Sequence, residues 1–154
     1  MPENLRNGAG VLGYHRGQLI SLREGANGMI CLTDDPTQAG FHAACYHQDL
    51  EPFMARGREL RANGYQRPAV DSIRAAEIEA GRLAMPREPR ALYSLSSDHE
   101  YDPGSGVPSD ASGLYVIYMP YATELSTGIS AAPAGGRPWL MFPGKPWAHV
   151  MISR

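Results

Sequence analysis

Three histidines have side chains that could bind a metal ion. His42 and His47 lie in the segment FHAACYH, and His149 begins the segment HVMI near the end of the chain. Imidazole nitrogens bind divalent transition metals, so a fold that gathers these three rings would form a zinc or copper centre. The alternative is that one histidine is packed in the interior, the others lie at the surface, and the protein has no cofactor. The residues alone favour this second interpretation and leave the first open.

Cys31 and Cys45 are the only cysteines of the chain. In an exported protein an isolated pair is usually a disulfide, and this one would close a loop of about 15 residues, which the chain-entropy model equates with roughly 3 kcal/mol. The competing interpretation is two reduced thiols in the cytosol, although the spacing is not the C-x-x-C of redox motifs. The disulfide predicts a secreted or periplasmic protein.

A second polar cluster, Asp98-His99-Glu100, lies in a long polar loop. A histidine flanked by carboxylates can act as a general base, but adjacent residues seldom point at a common target, and a solvated loop is the plain alternative. The sequence contains no G-x-S-x-G elbow, no phosphate-binding P-loop and no H-E-x-x-H motif. Whether the chain is an enzyme therefore stays open at this stage.

Aromatic residues are concentrated towards the C-terminus, in the proline-punctuated segment PWLMFPGKPWAH. Such a segment can be a strap that packs over the core, or it can expose aromatic rings to a small ligand, a glycan or another subunit. The candidate binding surface consists of Trp139, Phe142, Trp147, Tyr118 and Tyr121.

The elements that must position these residues alternate between strand and helix patterns. The hydrophobic pattern predicts a hairpin over 11–22, strands at 29–33, 91–95, 114–119 and 149–152, helices over 50–63 and 68–80, and a short helical turn within 121–129. Strands before and after two helices are typical of an α+β domain. We expect a single, loop-rich domain over 1–154, in which an antiparallel β-sheet carries two helices on one face and one disulfide.

Composition and charge argue against two classes of partner, nucleic acids and the membrane interior. The chain has 154 residues, a formal net charge of −2, 17 glycines and 13 prolines, which predicts many turns. A nucleic-acid partner would require a basic excess, so none is expected. No apolar run approaches the ~18 residues of a membrane span. The start, MPENLRNGAG, lacks the pattern of a secretory signal, so the protein either stays in the cytosol or has lost a signal that preceded Met1.

One segment resembles a known group of proteins. NGMICLTDDPTQAGFHAAC, at 27–45, is similar to a stretch of small exported bacterial proteins of unknown function, in which Asn-Gly leads to a first Cys and a loop leads to a second Cys at the same separation. The closing HVMI resembles their C-terminal strand, and YMPYAT at 118–123 is more loosely similar. The resemblance implies export and the disulfide, and it implies no activity. Of the three candidate metal ligands, only His149 has a counterpart in that pattern.

These observations lead to two functional hypotheses. The first is an exported, disulfide-stapled binding or structural domain that acts through an aromatic surface and associates with itself. The second is a small metalloprotein or enzyme of unknown reaction that uses the three histidines.

Overall fold

The computed structural model describes residues 1–133 and 135–153. The strands are β1 (Gly10–His15), β2 (Gln18–Arg23), β3 (Met29–Leu32), β4 (Phe41–His47), β5 (Arg90–Ser97), β6 (Ser112–Tyr118), β7 (Trp139–Met141) and β8 (His149–Ser153). The helices are α1 (Glu3–Arg6), α2 (Glu51–Ala62), α3 (Arg67–Glu79) and α4 (Glu124–Thr127), with a 3-10 turn at Gln48–Leu50. These eight strands form one sheet in the order β2-β1-β3-β4-β5-β6-β8-β7. The α+β class and the disulfide are confirmed.

The sheet departs from the predicted antiparallel pattern at one place, because β1 and β3 run parallel. The chain leaves β2, crosses the beginning of β1 and enters β3 on the other side of β1. At the crossing the backbones of Gly10 and Gly25 touch, and a Cβ on Gly25 would lie 2.5 Å from the nitrogen of Gly10. Glycine permits this close approach because it has no side chain.

Most local elements lie close to their predicted positions. The hairpin turns at Arg16-Gly17, where both residues have positive φ (51° and 78°), as two-residue hairpin turns of the primed type require. The two long helices begin and end within a few residues of 50–63 and 68–80. FHAACYH, at 41–47, was not among the predicted strands, and it forms the central strand β4.

The main core combines side chains of the sheet with side chains of both long helices. Strand register aligns five residues in one row across β3, β4, β5, β6 and β8, namely Ile30, Tyr46, Leu92, Val116 and Met151. We call the face of the sheet that carries this row the inner face. Phe53 of α2 and Ile78 of α3 pack in the same cluster as the row, together with Leu50 and Trp147.

A smaller cluster lies at the β7–β8 edge of the sheet. It contains Leu140, Ala148 and Val150, with Ile129 packed against it. Val150 pairs with Ile117, one position away from the inner-face pair of Met151 and Val116. Because successive side chains of a strand point to opposite faces, Val150 lies on the face opposite the main core.

Polar side chains at the edge of the main core are paired. The hydroxyl of Tyr46 donates to Glu51 Oε2 at 2.6 Å and accepts from Arg58 Nη1 at 3.0 Å, while Arg58 Nη2 also bonds the Glu51 carboxylate. Burial is the main cause that raises the pKa of Tyr46, so its phenol stays protonated as a donor. A second pair, Arg56 with Glu77, links α2 to α3 at 2.6 Å.

Candidate binding surface

The structure corrects two residues of the predicted aromatic surface. Trp147 and Tyr118 are only 7% and 8% exposed, and both belong to the main core. Trp147 stacks on Phe53 of α2, with ring centroids 6.2 Å apart. The Tyr121 amide donates to the Lys145 carbonyl, and the Gly144 amide donates to the Ala122 carbonyl. These backbone hydrogen bonds join the segment that follows β6 to the segment that precedes β8. The proline-punctuated segment is therefore folded inward as a strap at Trp147.

The other three residues of that predicted surface differ in exposure. Trp139 and Phe142 are half-buried, and Tyr121 is 61% exposed. Tyr121 and Phe142 both have positive φ, 60° and 52°, which is uncommon for aromatic residues and is held here by the turn hydrogen bonds. The five residues thus do not form one continuous exposed aromatic patch.

The three candidate metal ligands do not come together. His42 and His47 are five positions apart on β4, so their side chains leave opposite faces of the sheet. His149 is on β8, which β5 and β6 separate from β4, a distance of about 14 Å at the usual strand spacing. Within 1–133 and 135–153, no group of three or more His, Cys, Asp or Glu side chains is arranged to hold a metal ion.

Two of these histidines have local structural roles instead. His149 is buried between the rings of Tyr118 and Phe142, at centroid distances of 4.9 and 5.7 Å, and its Nδ1 lies 2.8 Å from the Trp147 carbonyl oxygen. The Nδ1 atom of His47 accepts a hydrogen bond from the amide of Asp49 and so caps the 3-10 turn. His42 is exposed.

In the Asp98-His99-Glu100 cluster, His99 contacts neither neighbouring carboxylate. Its Nδ1 lies 3.0 Å from Asp110 of the same long loop. The hydroxyl of Ser97 is the main cause that holds the pKa of Asp110 below its ordinary value, and His99 adds to it. Both members of the pair are well exposed to solvent, as expected for a surface ion pair that contributes little to stability.

The predicted disulfide joins neighbouring strands. Cys31 of β3 and Cys45 of β4 are directly opposite each other in the antiparallel register and are covalently bonded. The residues between the two cysteines include the segment DDPTQAG, which connects β3 to β4. The bridge therefore lies in the middle of the sheet, between two paired strands.

The disulfide belongs to a row on the face opposite the main core. Cys31, Cys45, Tyr93 and Tyr115 are aligned across β3, β4, β5 and β6. The rings of Tyr93 and Tyr115 meet edge to face at 5.5 Å. We call this side of the four strands the open face, and define it by Cys31, Ala43, Cys45, Ala91, Tyr93, Leu95, Gly113, Tyr115 and Ile117.

The open face is apolar and carries no formal charge. None of its nine residues is Asp, Glu, Lys or Arg, and each is half-buried or exposed. None of them belongs to either buried cluster. Ile117 is 36% exposed, whereas its neighbour Val116 on the inner face is 5% exposed. The two neighbouring positions of β6 are therefore both apolar, although one is buried in the core and the other is exposed.

The hairpin extends this apolar surface sideways. Val11 pairs with Cys31, and Gly13 lies two positions further along the same face of β1. Ile20, which pairs with Gly13, is 39% exposed. Leu22, which is 56% exposed, lies against the position that a Gly13 side chain would occupy.

The open face is bounded at two sides by covered residues. Phe41, which pairs with Ser97 just beyond Leu95, is 7% exposed and packs against Tyr101 of the long loop. At the β8 side, Val150 is covered by the smaller cluster. The open face lies between these two regions.

One cleft of the structure lies away from this face. It has a volume of about 660 Å³ and is lined in part by Ile30, Asp49 and Glu51. Arg90 pairs with Asp49 at 2.7 Å, and Arg58 pairs with Glu51. Both carboxylates are therefore engaged in structural ion pairs, which makes this cleft a weaker candidate site than the open face.

Comparison with known proteins finds no match among protein-family models, curated proteins or solved structures. Among the helices of 1–133 and 135–153, none has the length and apolar character needed to cross a bilayer.

Proposed function

We propose that this chain is an exported binding domain whose working surface is the open face. We infer that α2 and α3 both cover the inner face, because Phe53 and Ile78 share one cluster with the Tyr46 row. Neither of these two long helices would then cover the opposite side of β3 to β6. The single observation that carries the proposal is the row of uncharged, half-buried side chains around Tyr93 and Tyr115.

An antiparallel sheet that has one face in water ordinarily alternates apolar and polar residues. Here Val116 and Ile117 are consecutive and both apolar, although they point to opposite faces. Removing apolar surface from water is favourable by about 25 cal/mol per Å². A partner that covers the open face would therefore gain binding free energy from apolar surface that the monomer leaves in water. Tyrosine combines a large apolar ring with a polar hydroxyl. It therefore suits a surface that is exposed to solvent in the free protein and buried in a complex.

Export is supported by the disulfide between Cys31 and Cys45. Disulfides persist in secreted and periplasmic proteins and are rare in the reducing cytosol. The resemblance of 27–45 to small exported proteins supports the same compartment. In this proposal the disulfide makes the centre of the binding surface rigid. Less conformational entropy is then lost when a partner binds.

The test combines stability and probe binding in matched variants. Ile117→Thr should change the free energy of unfolding by less than about 0.5 kcal/mol, whereas Val116→Thr should lower it by about 1.5–3 kcal/mol, because only Val116 is in the core. At submicromolar protein, the apolar dye ANS should bind the native wild type, and Ile117→Lys should weaken that binding. Leu125→Lys is the control, since Leu125 is 98% exposed on α4 and is not part of the open face.

Two results would contradict the proposal. One is an Ile117→Thr variant that loses as much stability as Val116→Thr, which would mean that the face is covered. The other is native protein that binds no ANS, or that binds it equally well with Lys at position 117.

A further inference from the structure

We infer that the occupant of the open face is a second copy of this chain, bound face to face. This inference rests on the proposed function, because it names the partner for the same surface. The arguments are charge, shape and area.

Charge excludes most other kinds of partner from this surface. The nine residues of the open face supply no Lys or Arg for nucleic-acid phosphates or anionic lipid headgroups. On the hairpin, Arg23 pairs with Val11, and its guanidinium donates to the backbone carbonyls of Ala9 and Arg6. A charged protein surface would lose its hydration against Tyr93, Leu95 and Ile117 without gaining a counter-charge. A second open face matches this requirement, because it is equally uncharged.

Shape also allows the face to pack on itself. Several strand pairs set a large residue opposite a small one: Leu95 is opposite Gly113, and Ile117 is opposite Ala91. Tyr93 is opposite Cys45 on one side and opposite Tyr115 on the other. Two sheets that pack face to face interdigitate such side chains at a separation of about 10 Å. Under a two-fold axis, each large side chain of one copy can lie over a small residue of the other.

The available area is sufficient for a weak, specific dimer. The four strands of the open face and the two strands of the hairpin together span about 29 Å at ~4.8 Å per strand. A strand length of five residues, about 17 Å, is available on each of them except β3, which has four residues. Each copy would thus bury roughly 500 Å², and the pair roughly 1,000 Å², which is at the lower limit of specific interfaces. We therefore expect a dissociation constant in the micromolar range, and a monomer at higher dilution.

Sedimentation equilibrium tests this inference over about 1–500 μM protein. Wild type should pass from the monomer mass of 16.7 kDa to twice that mass as concentration rises. Ile117→Lys should raise the dissociation constant at least about tenfold. Ile117→Thr is a milder variant that should also weaken the dimer, which guards against a lysine variant that fails to fold. Leu125→Lys should associate as the wild type does.

The outcomes separate this inference from the proposed function. A wild type that stays monomeric throughout, but binds ANS in a manner that depends on Ile117, overturns the second copy as partner and leaves the binding surface intact. A dimer that Ile117→Lys does not weaken overturns the inference as well, because the contact then lies elsewhere. If the protein neither dimerises nor binds the dye, both proposals fail.

Discussion

The buried ring of His149 couples folding to pH at the scale of a single residue. It lies between Tyr118 and Phe142, and burial is the main cause that lowers the pKa of its imidazole. The Trp147 carbonyl opposes this shift, and the charge of Arg67 adds to it. Burial also raises the pKa of Tyr118 to about 12, so the phenol does not titrate in the same range. The unfolded chain therefore binds a proton at position 149 more readily than the folded chain.

We expect His149→Gln to remove part of the acid sensitivity of the fold. The contribution of the neutral ring is complete above the ordinary histidine pKa of about 6.5 and is lost as pH falls towards the lower folded value, with a slope of at most about 1.4 kcal/mol per pH unit. Urea unfolding at about pH 7.5 and about pH 5 should thus show a smaller loss of stability in His149→Gln than in the wild type. His42→Gln, at an exposed position, should keep the wild-type dependence. Equal losses in wild type and His149→Gln would refute the coupling.

At the scale of elements, the crossing from β2 to β3 decides the strand order. The chain passes over the start of β1, where Gly25 lies against Gly10. A side chain at this point would push the connection away from β1. Because β3 enters the sheet directly after the crossing, the parallel pair β1–β3 depends on that contact.

Gly25→Ala should consequently destabilise the fold by about 1–3 kcal/mol, the usual range for overpacking. The added Cβ would be 2.5 Å from the Gly10 nitrogen, and the neighbouring atom is backbone that cannot rotate away. Gly135→Ala is the control, because an added Cβ there meets no atom within 4 Å. Thermal and urea unfolding of the two variants measure the difference. Similar stability for both would mean that the loop relaxes without cost and that the crossing tolerates a side chain.

At the scale of the whole molecule, the disulfide connects the middle of the sheet. Cys31 and Cys45 bridge β3 and β4, between the hairpin and the remaining strands. The crosslink restricts the unfolded chain over a separation of 14 residues. The disulfide also lies within the open face. Removing it should therefore change both the stability of the fold and the rigidity of the proposed binding surface.

Replacing both cysteines with alanine should lower the free energy of unfolding by roughly 3 kcal/mol, from the lost loop constraint. Reductant should destabilise the wild type by a similar amount and should leave the double variant unchanged. Urea unfolding with and without reductant makes the comparison. A double variant as stable as the oxidised wild type would show that the crosslink does not support the fold.

Prediction from the sequence succeeded where the signal is local. The turn at Arg16-Gly17, the two long helices and the cysteine pair depend on residues that are close together in the chain. It failed at FHAACYH, because both sides of β4 are largely apolar or small and the two-residue alternation of a strand is hidden. It also placed Trp147 in a binding surface, since the number of aromatic residues in a segment does not show which of them contacts a helix.

The amino-acid sequence by itself determined the α+β composition, the positions of the main turns and the pair of sulfur atoms that could be joined. Only the tertiary structure decided that the candidate histidines stay apart and that Tyr93 and Tyr115 meet on an uncharged face. The physical reason is that a surface of a sheet is assembled from every second residue of strands that are distant in the chain. Strand order and register, which come from long-range packing, set which of those residues become neighbours.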